Sequence, residues 1–204
     1  MTDPIIRVDA LLPAEIARRA EEVGVKKAAL DALSMFALAV LAGAFIALGG
    51  MLATTVTAGA NGMLPYGVTR LLAGLVFCLG LILVVIGGAE LFTGNNLITM
   101  AWASRKITTR ALLRNWVIVY AGNFVGAVVT AVLMLLTRQY TFGGGAVGQA
   151  ALATASAKVN LEFVQAVALG IMCNALVCLA VWLTLGARTA SDKILAIIFP
   201  ITAF

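Results

Sequence analysis

The chain has 204 residues, 62% of them hydrophobic and 11% charged, where a soluble domain carries roughly 45–50% apolar and 25% charged residues. So little polar surface cannot cover a water-exposed fold, which makes this an integral membrane protein with several spans. The absence of histidine excludes histidine-held haem, histidine-bound zinc and histidine general bases within these residues, and a net charge of +5 spread over membrane loops sets orientation and does not point to nucleic acid.

Residues 1–31 read as an N-terminal amphipathic segment on the cytoplasmic face. The opening MTDPIIRVDALLPAEIARRAEE is charged and lacks an early apolar core, so it is no cleavable signal. From Pro13 to Lys27 the pattern is helical. Proline suits a first turn, Glu15 follows where acid favours the helix dipole, and Leu12, Ile16, Ala20 and Val23 form one apolar stripe.

Residues 32–204 read as a transmembrane domain of about five spans, the fifth incomplete. Span 1 covers about 32–56 and ends at a Gly/Asn/Pro loop, AGANGMLPY. Span 2 starts near Arg70, and its apolar run continues to Arg105 with one charge, Glu90. That is too long for one perpendicular helix. Gly87, Gly88, Gly94, Asn95 and Asn96 are poor helix-interior residues, so the helix is expected to break at membrane depth, at 91–96, beside protein or a watery cavity. Span 3, about 115–136, carries Gly122 and Gly126 at GxxxG spacing, which permits close helix approach. A loop rich in Gly, Ala and Ser follows at 137–160, then span 4 at about 161–185 and span 5 from near Lys193. The last apolar piece is only about half a span, so the sequence is expected to continue beyond residue 204. Short basic loops alternate with poorer ones. The N-terminus and the loops at 105–114 and 188–193 are therefore expected on the cytoplasmic side.

The stretch ELFTGNN, residues 90–96, is the most informative for chemistry. A carboxylate at membrane depth is expensive. Glu90 either satisfies backbone N–H groups or a basic neighbour, or it touches substrate. The Thr93 hydroxyl, beside an unwound segment, is a donor for an anion or a helix cap. Backbone N–H groups freed at Gly94, Asn95 and Asn96 are further donors. Asn174 lies mid-span, where an unpaired amide is costly, and is expected to bond a neighbouring segment such as the broken helix. Lys158, taken alone, is a solvated loop lysine. Phe77, Leu81 and Leu91 flank the break and either narrow a path or pack a core. Cys78, Cys173 and Cys178 sit in apolar runs without a CxxC pair and read as small buried hydrophobes. No nucleophile–base pair lies within reach of any motif, so no enzyme is expected, and no cofactor or metal.

GGAELFTGNN, RNWVIVYAGNFVGA, AKVNLEFVQAVALGIMCNALVCLAVWL and SDKILAIIFPITAF resemble, in order and spacing, the formate/nitrite transporter family, and the match runs to Phe204. The resemblance implies an all-α membrane protein, an aquaporin-like bundle of two inverted halves with broken second and fifth spans, assembled as a homopentamer in the bacterial inner membrane. It implies that Thr93 is the loop threonine of the pore, with Leu91 and Phe92 its neighbours. Lys158 is then the buried lysine near the pore centre, Asn174 the span-4 asparagine, and Phe77, Leu81 and Phe204 the apolar constrictions. The family's central histidine falls beyond Phe204, so that histidine, the second break and span 6 are expected past the end of this sequence. The function implied is passage of small monovalent anions or their neutral acids, formate first. Alternatives are a nitrite or hydrosulfide channel, or a proton-coupled carrier of short carboxylates.

Overall fold

The computed structural model describes residues 10–60 and 62–203, and Asn61 and Phe204 lie outside them. Helix α1, Pro13–Ala29, opens on proline, and the Glu15 carboxylate accepts from the Leu12 N–H at 2.9 Å. Its inner face buries Ile16, Ala20, Gly24 and Ala28. Asp31 starts α2, Ala32–Thr57, by accepting from the Ser34 N–H at 2.9 Å, which satisfies one orphan donor of the first turn. Helix α3, Tyr66–Gly87, follows. Thr108 caps α6, Thr109–Leu136, in the same way at 3.2 Å. Helix α8, Phe163–Gly186, completes a set of four helices, among the described residues, long and apolar enough to cross a membrane. Helix α9, Ala190–Thr202, begins with a reciprocal capping box between Thr189 and Asp192.

Between α3 and α6 the chain breaks. Gly88 ends α3 in the left-handed region, φ +72°. Residues 89–91 are irregular, Phe92–Asn95 form a single turn, α4, and Ile98–Ala103 form the short α5. The break is therefore where the glycine pair stands, at 88–91. The expectation of an irregular stretch over 91–96 put it about three residues late, because Phe92–Asn95 is held helical by partners distant in sequence.

The loop expected at 137–160 also differs. A 3₁₀ turn at Gln139–Thr141 and three left-handed glycines, Gly143–Gly145, lead into α7, Ala146–Val159. Six of its fourteen residues are alanine, the strongest helix former, and this outweighs the few Gly and Ser. None of its residues is buried.

Small residues set the helix crossings. A Cβ on Gly126 would sit 2.0 Å from the Val40 carbonyl oxygen, and one on Gly43 would sit 2.1 Å from that of Asn123. The α2–α6 crossing is thus backbone on backbone, with Gly122 pressed against Ala39. Gly49 and Gly80 bring α2 onto α3, and Gly74 admits the Thr202 carbonyl of α9. The main apolar cluster joins α2, α3, α8 and α9 through Ala42, Cys78, Leu81, Val84, Val177, Ala180, Ile197 and Ile201.

Helix α1 lies across one end of the bundle. Glu21 accepts from the Ser104 hydroxyl at 2.6 Å and pairs with Lys106, while Ile16 packs against Gly186. The N-terminal helix, the 104–106 turn and the end of α8 therefore share one end, the grouping the basic loops imply.

Candidate functional site

The interrupted backbone at 88–97 leaves polar groups that no helix ladder satisfies, and at membrane depth each must find a partner. Asn123 of α6 meets two of them and also bonds a carbonyl of α2. Its Nδ2 donates to the Ala39 and Glu90 carbonyls at 2.8 and 2.9 Å, and its Oδ1 accepts from the Phe92 N–H at 2.8 Å. The Glu90 N–H donates to the Leu38 carbonyl at 3.2 Å. One asparagine thus ties the break to two spans.

Below it lies a second knot. The Lys27 ammonium donates to Glu90 Oε1 at 2.7 Å and to Asn95 Oδ1 at 3.0 Å. Asn95 Nδ2 donates to Glu90 Oε2 at 2.7 Å and to Asn115 Oδ1 at 3.0 Å. Asn115 Nδ2 returns to the Lys27 carbonyl at 3.3 Å, and the Trp116 indole N–H caps the Asn95 carbonyl at 3.2 Å. Glu90 is 4% exposed and Asn95 1%. This resolves Glu90 as the partner of a basic residue. It also places the Asn95 side chain within the knot, and the Asn95 N–H donates to the Leu91 carbonyl at 2.8 Å. The Asn96 N–H likewise turns back on the Gly94 carbonyl. The backbone donors expected to stand free at Asn95 and Asn96 are therefore already used, because the turn closes on itself.

On the side facing α8, Asn96 Nδ2 reaches the Phe92 and Thr93 carbonyls at 3.2 and 3.4 Å and Asn174 Oδ1 at 3.3 Å. The mid-span asparagine thus bonds the broken helix, as expected for an amide at membrane depth. Cys178, one turn on, donates its thiol to the Thr93 carbonyl at 3.4 Å. Among the side chains of residues 90–96, the Thr93 hydroxyl is the polar group with no hydrogen-bond partner among the described residues. It caps neither α4 nor α5. Gly94 beside it rests on Val181, and Phe92 packs edge-on against Trp116 and Tyr120.

The apolar positions fall together. Leu81 is 1% exposed at the centre of the main cluster, with Phe77 and Leu91 packed against it. Phe204 lies outside the described residues. Lys158 stands apart, exposed in the last turn of α7. Thr93, Asn96, Asn174 and Cys178 are thus one constellation, and Lys158 makes no hydrogen bond to it.

Lys27, Asn115 and Asn123 were not singled out from sequence. Asn123 carried a usable signal, an amide amid an apolar span, the same signal that marked Asn174. Lys27 carried none beyond its charge.

Residues 14–204 match the family model described as formate/nitrite transporter. The chain is 44% identical over 196 residues to the formate channel FocA of Escherichia coli strain K12, covering 96% of this chain and 68% of that protein. It is 40% identical over 195 residues to FocA of Haemophilus influenzae, again covering 96% and 68%. A solved pentameric formate channel with formate bound superposes with a TM-score of 0.80 at 50% identity, covering 84% of this chain and 67% of the other. An ion channel of the same family superposes equally well, TM-score 0.80, at 28% identity, with 93% and 75% coverage.

Proposed function

The chain belongs to the formate/nitrite transporter family, and from that membership we propose that it passes formate across a bacterial inner membrane as a homopentameric channel, its N-terminus in the cytoplasm. It acts as a conduit and catalyses no reaction. The observation that carries the reading is the Thr93 hydroxyl, without a partner among the described residues on a turn whose other side-chain polar groups are all engaged. A bare anion loses its hydration on entering an apolar site, at a penalty of up to tens of kcal/mol before relaxation. A hydroxyl donor held ready, with its own carbonyl already bonded by Cys178 and Asn96, offsets part of that penalty without reorganisation.

In this reading Asn96 and Asn174 fix the turn from the α8 side, and Asn123 and the Lys27–Glu90–Asn95 knot fix it from the other. Lys158 supplies positive potential that draws the anion toward the pore, since it is the one basic residue between Arg138 and Arg188. Phe77, Leu81 and Leu91 form an apolar barrier that favours a small neutral acid over a hydrated ion, with Phe204 assigned to the same role from the family pattern alone.

Formate efflux from proteoliposomes tests the reading. Thr93→Val keeps the side-chain shape and removes the donor. A hydrogen bond to a charged group is worth about 1.5–3 kcal/mol, so efflux should fall at least about tenfold, and Thr93→Ser should retain most of it. Wild-type efflux from a correctly assembled Thr93→Val protein would overturn the assignment. Cross-linking of the purified protein should stop at five subunits.

A further inference from the structure

The turn between α5 and α6 opens on a groove of about 610 Å³ lined by Trp102, Ala103, Arg105, Ile107, Thr108 and Thr109. We propose that this groove binds the headgroup of an anionic phospholipid, whose acyl chain lies along the outer face of α6.

Charge is the first argument. No Asp or Glu occurs between Glu90 and Glu162, while Arg105, Lys106, Arg110 and Arg114 crowd ten residues. Lys106 is paired with Glu21, and Arg114 donates to the Leu30 carbonyl at 3.0 Å. Arg105 and Arg110 make no ion pair among the described residues, and both are exposed. One guanidinium, that of Arg105, thus lines the groove, and Arg110 follows the lining residue Thr109 in the chain. Phosphate suits that geometry, because the planar fork pairs its oxygens two at a time.

The backbone gives the second argument. The Lys106 N–H closes on the Ala101 carbonyl at 2.8 Å, and Arg105 is held at φ +57°. Glycine or asparagine is the usual occupant of such a helix-ending turn. Arginine stands there at a backbone cost that Arg138 shares at the end of α6, and the closed turn holds Arg105 against the groove.

Depth decides between a lipid and a free anion. At about 1.5 Å per residue the 28 residues of α6 are about 42 Å long, while the hydrocarbon core is about 30 Å thick. The first turns of α6, with Arg110, therefore lie among headgroups. Trp102, 45% exposed, has its indole N–H bonded to Thr109 at 3.0 Å, the amphipathic placement found at membrane interfaces. Directly below Arg110, the stripe of Leu113, Val117, Tyr120 and Phe124 is exposed down one face of α6, 51% to 68% at each position. That stripe offers an acyl chain a continuous apolar track leading from the charged groove, and free phosphate has no use for it.

The test is native mass spectrometry of the delipidated full-length protein titrated with phosphatidylglycerol or phosphatidylcholine. Phosphatidylglycerol should be retained preferentially, and excess inorganic phosphate should not displace it. Arg105→Gly/Arg110→Ala should weaken retention roughly 10- to 30-fold, given the usual weight of two juxtamembrane arginines. Glycine relieves the strained turn, so loss of fold cannot account for that result. Arg70→Ala/Arg138→Ala should leave retention unchanged. Equal retention of both lipids, insensitivity to the groove variant, or displacement by phosphate would overturn the proposal. So would efficient disulfide cross-linking between subunits through Val117→Cys, because the stripe would then be covered by a second copy.

Discussion

Deleting one partner of the Lys27–Glu90 pair should have an asymmetric effect. Glu90 has a side chain 5% exposed, whereas that of Lys27 is 28% exposed. Lys27→Met leaves a carboxylate enclosed with only the Asn95 amide against it. Breaking a buried pair this way costs about 3–5 kcal/mol, and the lower end, about 3, applies because Lys27 is partly solvated. Glu90→Gln leaves an ammonium that can turn toward water, so the loss is nearer one charge-assisted bond, about 1–1.5 kcal/mol. At about 2–4 °C per kcal/mol for a chain of this size, the first variant should melt about 6–12 °C early and the second about 2–6 °C. Lys27→Met/Glu90→Gln should melt above Lys27→Met alone, because no buried charge remains. Size-exclusion profiles of detergent-solubilised protein after a temperature series, at matched concentration, give the three midpoints. A Glu90→Gln protein less stable than Lys27→Met, or a double variant less stable than both, would refute the reasoning.

Asn123→Leu removes a donor to two carbonyls and the acceptor of the Phe92 N–H. At about 1–3 kcal/mol for each group left unsatisfied, it should abolish recovery of monodisperse protein. Gly126→Ala should do the same, since its Cβ would sit 2.0 Å from a carbonyl oxygen, while Gly50→Ala, whose nearest neighbour is 3.9 Å away, should express normally. The hydrogen bond from Lys106, with that from Ser104, holds the Glu21 carboxyl below its ordinary value of 4.5. A depressed carboxylate stabilises fully above the unfolded value and loses its effect as pH falls through the folded one. The part of α1 docking that Glu21 supplies should therefore be complete at neutral pH and lost below about pH 4.5, and Glu21→Gln should abolish that acid-dependent rise in protease sensitivity. Lys158→Ala should lower formate efflux several-fold with assembly intact, Lys158→Arg should be intermediate, and Arg138→Ala should have little effect because an exposed charge is screened within about 10 Å. Equal efflux from wild type and Lys158→Ala would return this lysine to solvent.

Much of the fold was legible because it is local. Hydropathy located the four long spans, Pro13 and the apolar stripe located α1, and Gly87–Gly88 announced a break. What was illegible depends on distant partners. Phe92–Asn95 is helical because Asn123, Asn115 and Lys27 hold it from 31, 20 and 68 residues away. The sequence around 91–96 alone reads as irregular. The expectation that Asn174 would meet the broken helix succeeded because a mid-span amide has few alternatives. The Gly, Ala and Ser of 137–160 together suggest a loop, yet within 146–159 six alanines in fourteen residues favour the helix that forms. Among the candidate donors, Thr93 kept its free hydroxyl, whereas Asn95 was consumed by the knot.

The span of sequence that Asn123 bridges imposes a timetable on biosynthesis. Its amide closes on the Glu90 carbonyl 33 residues upstream, and at about 5–20 residues per second the ribosome needs about 2–7 s to cover that distance. Through that interval the AELFTGNN segment leaves the insertion machinery without its Asn115 and Asn123 partners, steadied by the Glu90 N–H on Leu38 and by Lys27. A translational slowdown between residues 96 and 123 would lengthen this exposure and invite proteolysis. Once α6 arrives, Asn115 reaches Asn95 and Asn123 reaches Glu90. The first three spans thus mature as a unit, and α8 docks onto a surface that is already set.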